Sequence, residues 1–107
     1  MINNTNPNPF NKTYKVLGNN FLFINSSSIQ LVFKGESIYD ETVEIKYLEN
    51  GQEKTIIGIT QFAKISDKFT LLISCNNTVN KFVVINSEDF SSIELKGEVV
   101  EYKLVKL

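Results

Sequence analysis

TVEIKYLENGQEKTIIGITQF, residues 42–62, decides the fold class of this chain. Within the predicted strand Thr42–Leu48, apolar side chains at positions 43, 45 and 47 face one way and polar side chains at 42, 44 and 46 face the other, as in a strand with one buried face. Asn50-Gly51 follows at once, and both residue types tolerate the positive φ angles of a tight hairpin turn. Lys54–Phe62 then supplies an antiparallel partner. The stretch therefore predicts a β-hairpin.

The same period-two pattern continues on both sides of this hairpin, interrupted by Gly, Asn, Ser and Asp residues that favour turns. No stretch carries the apolar stripe of a helix. The pattern predicts an all-β domain, a small antiparallel barrel or sandwich of about eight short strands. The other predicted strands are Thr13–Leu17, Phe21–Asn25, Ile29–Lys34, Lys68–Ser74, Val79–Ile85, Ile93–Lys96 and Val99–Leu107.

The 107 residues suffice for one domain and are too few for two independent cores. Residues 1–11 lack periodicity, and two prolines favour extended backbone there. We therefore predict an extended N-terminal tail over residues 1–11 and a single β domain over residues 12–107. Asn86–Asp89 is predicted to form one helical turn, with Ser87 as its cap.

Missing residue types restrict the chemistry of this chain. It has no histidine, and all 11 of its basic residues are lysines. Because histidine is the usual base near neutral pH and a common metal ligand, catalytic triads and imidazole-bound metals are disfavoured. The five glycines are scattered and form no phosphate-binding loop. We expect no enzymatic activity, no cofactor and no metal.

Carboxylate pairs are the remaining catalytic option, as in glycoside cleavage. Since acidic side chains mostly lie exposed, we favour loops and outer strand faces as their place. Cys75 directly follows a predicted strand. The chain has no His or Arg that could lower the pKa of its thiol, so we expect an inert thiol. The candidate acids are Asp40, Glu41, Glu44, Glu88 and Asp89.

The charge balance and the apolar runs bear on partners and compartment. A net charge of -1 argues against direct nucleic-acid binding, which needs a basic surface. The longest apolar runs, Phe21–Ile24 and Phe82–Ile85, fall far short of the roughly 20 residues that span a bilayer. The N-terminus lacks the basic and apolar regions of a secretion signal. We expect a cytoplasmic protein without membrane contact, from a source with an AT-rich genome.

Several predicted strands are apolar on both faces for part of their length, which a strand with one solvated face should not be. Either the tail, the segment Asp89–Ser92 or a second sheet layer covers the extra face, or a partner protein or second copy of the chain does. We predict a partner-binding surface made by a sheet face or edge strand together with the tail. Its candidate residues are Leu22, Val32, Leu72, Val83, Pro7, Pro9 and Phe10.

These features favour a small non-enzymatic protein that acts by protein–protein contact or self-association. By analogy of size and composition, inhibitors, immunity proteins and phage-encoded antagonists of host defence are candidate roles. The alternative is a lipocalin-like carrier of a small apolar ligand inside the barrel. An enclosed apolar cavity of several hundred Å³ would support the carrier, and a filled interior would argue against it.

Overall fold

The computed structural model describes residues 11–35 and 41–107. Within these ranges the chain forms β-strands and no helix. Eight strands close into one antiparallel barrel, which confirms the all-β prediction and selects the barrel over the sandwich. The strands are β1 (Lys12–Leu17), β2 (Asn20–Phe21), β3 (Ile24–Asn25), β4 (Ile29–Lys34), β5 (Thr42–Glu49), β6 (Gln52–Ile65), β7 (Lys68–Cys75), β8 (Thr78–Asn86), β9 (Ser92–Lys96) and β10 (Glu101–Lys106).

Strands β4 to β10 follow one another around the barrel in chain order, and β1 closes it between β10 and β4. Strand β6 has 14 residues and is longer than predicted. Its first half pairs with β5, its second half pairs with β7, and Ile59 pairs with both. A long, tilted strand of this kind lets neighbouring hairpins step around a closed barrel.

Three of the connections are two-residue hairpin turns, at Asn50-Gly51, Ser66-Asp67 and Asn76-Asn77. All six residues have positive φ, between 51° and 78°. This is the backbone of type I′ turns, whose twist matches that of antiparallel strands. The first turn is the one predicted from Asn50-Gly51, and the other two fall in the gaps that the predicted strands leave before Lys68 and before Val79.

The predicted strand Phe21–Asn25 is wrong. This segment folds into the small hairpin of β2 and β3, outside the barrel sheet. Leu22 bends the chain with a φ of 54°, and its backbone N–H donates to the Tyr102 hydroxyl at 2.9 Å. A contact with a residue far along the chain therefore overrides the local strand preference.

The barrel interior is filled by alternate side chains of all eight strands. Buried residues include Tyr14, Leu31 and Ile45. The space left between facing side chains at one level of the interior is too small for a water molecule. Its lining residues are Phe33, Phe62, Leu71, Val84, Ile93, Leu95 and Leu104.

One end of the barrel, here called the closed end, is plugged by Phe90. Between β8 and β9 the chain forms a single turn at Glu88-Asp89, in which the Phe90 N–H donates to the Ser87 carbonyl at 3.1 Å, and not a helix. This turn carries the Phe90 ring inward, 1% exposed. The ring packs edge-on against Phe62 and Phe69, with centroids 6.0 and 5.7 Å away. The buried Tyr14 hydroxyl donates to the Phe90 carbonyl at 2.6 Å. The segment Asp89–Ser92 thus closes the barrel interior at this end, through the contacts of Phe90 with Phe62 and Phe69.

Candidate interaction surface

The outer surface of the barrel divides into two unlike halves. We call the first the apolar face: the outward side chains of Ile57–Ala63 in β6, Thr70–Ser74 in β7 and Val79–Ile85 in β8. Among them Lys81 alone is charged. Ile57, Ile59 and Val79 are 65%, 66% and 65% exposed. The members of the apolar face are Ile57, Ile59, Gln61, Ala63, Thr70, Leu72, Ser74, Val79, Lys81, Val83 and Ile85.

Strand register places the apolar members next to one another. Ser74 pairs with Ile59 on one side and with Val79 on the other, so the three side chains form a row across β6, β7 and β8. Cross-strand neighbours of this kind have Cβ atoms roughly 5 Å apart. The small serine between the two larger residues leaves their side chains open to solvent.

The second half, here called the charged face, comprises the outward side chains of β9, β10, β1, β4 and β5. Lys34 Nζ lies 2.7 Å from a Glu44 carboxylate oxygen, and Lys96 Nζ lies 3.8 Å from Glu101. The hydrogen bond from Lys34 lowers the pKa of Glu44. Its charged members include Lys15, Lys34, Glu44, Lys46, Glu94, Lys96, Glu101 and Lys103.

The structure brings together only part of the predicted partner-binding set. Leu72 and Val83 both lie on the apolar face, on the neighbouring strands β7 and β8. Val32 lies on the charged face, paired with Thr13 and Glu44. Leu22 lies in the small hairpin of β2 and β3, at the end of the barrel opposite Phe90. The remaining predictions, Pro7, Pro9 and Phe10, fall outside the described residues.

The structure narrows the prediction of an edge strand as contact surface. Each of the eight barrel strands has a paired neighbour on both sides, because β1 bridges β10 and β4. Pairing is one-sided along most of β6, since residues 52–58 pair with β5 alone and residues 60–65 pair with β7 alone. No barrel strand is an edge over its whole length, so contact through most of the barrel wall uses side chains.

Sequence reasoning missed Ile57 and Ile59, although a signal for them exists. The two-residue turn at Asn50-Gly51 fixes the hairpin register and places Gly58 opposite the inward Val43. Gly58 and Thr60 therefore take inward positions, and the two isoleucines between them face outward. Counting residue pairs back from the turn identifies this arrangement from sequence.

At the end opposite Phe90, here called the open end, a cleft of about 610 Å³ opens between three connections. These are the β2–β3 hairpin, the β7–β8 turn and the loop of residues 97–100. Phe82 and Tyr102 lie at its base, nearly buried, whereas Phe23 and Val99 on its rim are 50% and 90% exposed. Val79 and Lys81 line the cleft and also belong to the apolar face.

Four of the five candidate acids lie in the described part of the chain. Glu41 is buried at the closed end, where its Oε1 accepts from the Phe62 backbone N–H at 2.9 Å. Burial raises the pKa of Glu41. Glu44 faces solvent, and hydrogen bonds from Ser91 and Ser87 lower the pKa of Asp89 to about 2. Asp40 falls outside the described residues, and Glu88 is exposed beside Asp89.

Cys75 is a buried free thiol at the base of the open-end cleft. Burial raises its pKa, so the thiol stays protonated near neutral pH. Residues 11–35 and 41–107 contain no group of three His, Cys, Asp or Glu side chains that could hold a metal ion. In the same ranges, no helix has the length and apolar character that crossing a membrane requires.

The sequence matches no protein-family model and no curated protein, and the barrel matches no solved structure.

Proposed function

We propose that this protein is a small, non-enzymatic binding protein whose apolar face docks on the surface of another protein. The observation that carries the proposal is the joint exposure of Ile57, Ile59 and Val79 on a face where Lys81 is the single charge. Contiguous exposed apolar patches on small monomers are commonly interaction sites. A cytoplasmic partner fits, as for an inhibitor, an immunity protein or a phage-encoded antagonist of host defence.

The composition of the apolar face is that of an interface core. Interface cores are depleted in charged residues, and a polar rim surrounds them. Here Ile59, Leu72 and Val83 lie between uncharged polar side chains such as Gln61 and Thr70. Burial of this surface by a partner would release its water and stabilise the complex.

The backbone of the apolar face is already ordered before any partner arrives. Strand β7 pairs with β6 from Ile59 to Ile65 and with β8 along its whole length from Phe69, and all three strands belong to a closed sheet. Binding therefore costs little backbone entropy, and the free energy of apolar burial is retained as affinity. Rigid presentation of this kind suits a protein that acts by occupying a partner's surface.

The alternative of a carrier with its ligand inside the barrel has less support. The space between the seven interior residues around Phe33 and Phe62 has no room for a water molecule. An interior ligand would have to displace core side chains such as Leu71 and Leu95, which are each 1% exposed. Protein contact through the outer wall needs no such rearrangement.

The test compares Ile59→Lys with Leu17→Lys, since Leu17 is 49% exposed and lies on the charged face. Immobilised wild-type chain and both variants are exposed to extract from cells that carry the gene, and captured proteins are quantified by mass spectrometry. The partner's affinity for Ile59→Lys should fall at least about tenfold, as for central interface residues, with Leu17→Lys close to wild type. Equal capture by all three chains would contradict the proposal.

A further inference from the structure

The base of the open-end cleft is a rigid aromatic surface. The Tyr102 ring packs against Phe21 at a centroid distance of 4.7 Å and against Phe82 at 5.9 Å. Phe21 is fully buried, while Phe82 and Tyr102 are 3% and 7% exposed. These contacts hold the base in one arrangement, so the cleft exists before any molecule enters it.

Tyr102 brings an unused hydrogen-bond donor to this base. Its hydroxyl oxygen accepts from the Leu22 backbone N–H at 2.9 Å, which fixes the position of the oxygen. The hydroxyl proton has no acceptor among the described residues. Both Tyr102 and Leu22 line the cleft. A nearly buried donor at the base would pair with an acceptor oxygen of a bound molecule, because a buried polar group is stabilised by a partner.

The cleft has no net charge. Lys81 and Glu98, of opposite sign, both line it, and neither forms an ion pair with a described residue. Its other polar linings are the neutral side chains of Asn76, Thr78 and Asn80. Apolar side chains supply the remaining walls. This lining selects against ions and favours an uncharged apolar molecule.

We propose that the cleft binds a medium-sized, uncharged apolar molecule whose carbonyl or ester oxygen accepts from the Tyr102 hydroxyl. Its volume of about 610 Å³ lies inside the range of roughly 300 to 1,000 Å³ typical of small-molecule sites, which often occupy barrel mouths. The exposed Phe23 and Val99 on the rim would cover the bound molecule. This site overlaps the apolar face at Val79 and Lys81, but small-molecule binding here does not depend on protein docking there.

The probe for this site is prodan, an uncharged naphthyl ketone whose fluorescence shifts to the blue in apolar surroundings. Because the chain has no tryptophan and one cysteine, two clean signals are available. Saturable binding should shift prodan emission to the blue and slow alkylation of Cys75 at the base of the cleft. Binding without Cys75 protection would overturn the proposal, as would no binding at all.

Two valine variants locate the binding. Val100→Glu places a charge in the cleft lining, whereas Val83→Glu places the same charge on the apolar face outside the cleft. Prodan affinity should fall at least about tenfold in Val100→Glu, because a bound apolar molecule would take water from the new carboxylate without offering it a hydrogen bond. Affinity in Val83→Glu should stay within about twofold of wild type. The reverse pattern would assign binding to the apolar face and overturn the cleft proposal.

Tyr102→Phe tests the hydrogen bond. Its affinity for prodan should fall about three- to tenfold, the usual effect of one lost hydrogen bond. Loss of the acceptor for the Leu22 N–H also acts on the wall of the cleft. Phenylnaphthylamine, an uncharged apolar probe without a carbonyl, reports that effect alone, so its affinity should fall clearly less than the affinity for prodan. Equal loss for both probes would overturn the role of the Tyr102 hydroxyl. Thermal unfolding checks that each variant is folded. If Tyr102→Phe does not fold, the comparison of Val100→Glu with Val83→Glu still decides where prodan binds.

Discussion

The apolar face and the charged face belong to one barrel wall and differ in what they present to solvent. On the charged face, Glu44 is flanked by Lys34 and Lys46. On the apolar face, Ile59 and Val79 lie open across a serine. Both faces belong to one closed sheet, and the outward isoleucines do not fill its core. The proposed docking of a partner protein on the apolar face would account for this difference.

The largest expected effect is on the free energy of unfolding, and it compares an inward residue of β7 with an outward residue of β6. Leu71→Ala should lower the free energy of unfolding by about 2 to 5 kcal/mol, because it leaves a cavity in the filled interior. Ile59→Thr, one strand away on the apolar face, should change it by less than about 0.5 kcal/mol. Urea unfolding of both variants measures the contrast. A comparable loss from Ile59→Thr would make the apolar face part of the folding core.

A second prediction concerns how strongly each face adheres to an apolar surface. The double variant Ile59→Lys, Val83→Lys should elute from a phenyl hydrophobic-interaction column at distinctly higher salt than wild type, because it places charges in the apolar face. A matched double variant on the charged face, Leu17→Lys with Val32→Lys, should shift elution less. Equal shifts would mean that the two faces do not differ in adhesion.

The register explains why sequence reasoning found only part of the apolar face. Leu72 and Val83 lie in runs that are apolar at successive positions, and such runs are visible in a single sequence. The outward position of Ile57 is not visible in the hydrophobic pattern. Gly58 takes the inward position opposite Val43, and a glycine adds no apolar side chain to the period-two pattern. The turn at Asn50-Gly51 allows this orientation to be predicted, because a two-residue loop fixes which residues of β5 and β6 pair with each other.

Long-range contacts account for the parts of the fold that the sequence did not predict. The turn residues Asn76-Asn77 determine their own backbone, so that hairpin was predictable. Leu22 takes positive φ beside the Tyr102 hydroxyl, 80 positions away in sequence. Phe90 likewise turns inward with a φ of 58° to meet Phe62 and Phe69. No local pattern encodes such contacts.

The smallest predicted effect is the response to acid, which should arise outside the apolar face. Hydrogen bonds from Ser91 and Ser87 lower the pKa of Asp89 to about 2 from its ordinary value of 3.8. A lowered folded-state pKa means that the carboxylate stabilises the fold above its ordinary pKa, and that this contribution is lost as the pH falls towards 2.

Thermal unfolding of wild type and Asp89→Asn between pH 6 and pH 2, a range chosen to span that titration, measures this contribution. Asp89→Asn should be less stable than wild type at pH 6, and the difference should shrink as the pH falls. Ile59→Thr should follow the wild-type pH profile, because the apolar face has no acid. A constant difference for Asp89→Asn would contradict the role of its carboxylate.

The most direct test of the account is site-specific photocrosslinking inside the cells that carry the gene. A benzophenone-bearing amino acid replaces Ile59 on the apolar face in one variant and Leu17 on the charged face in a matched control. We expect a discrete crosslinked protein from the position of Ile59 and none from that of Leu17. The same adducts from both positions, or an adduct from Leu17 alone, would contradict docking through the apolar face.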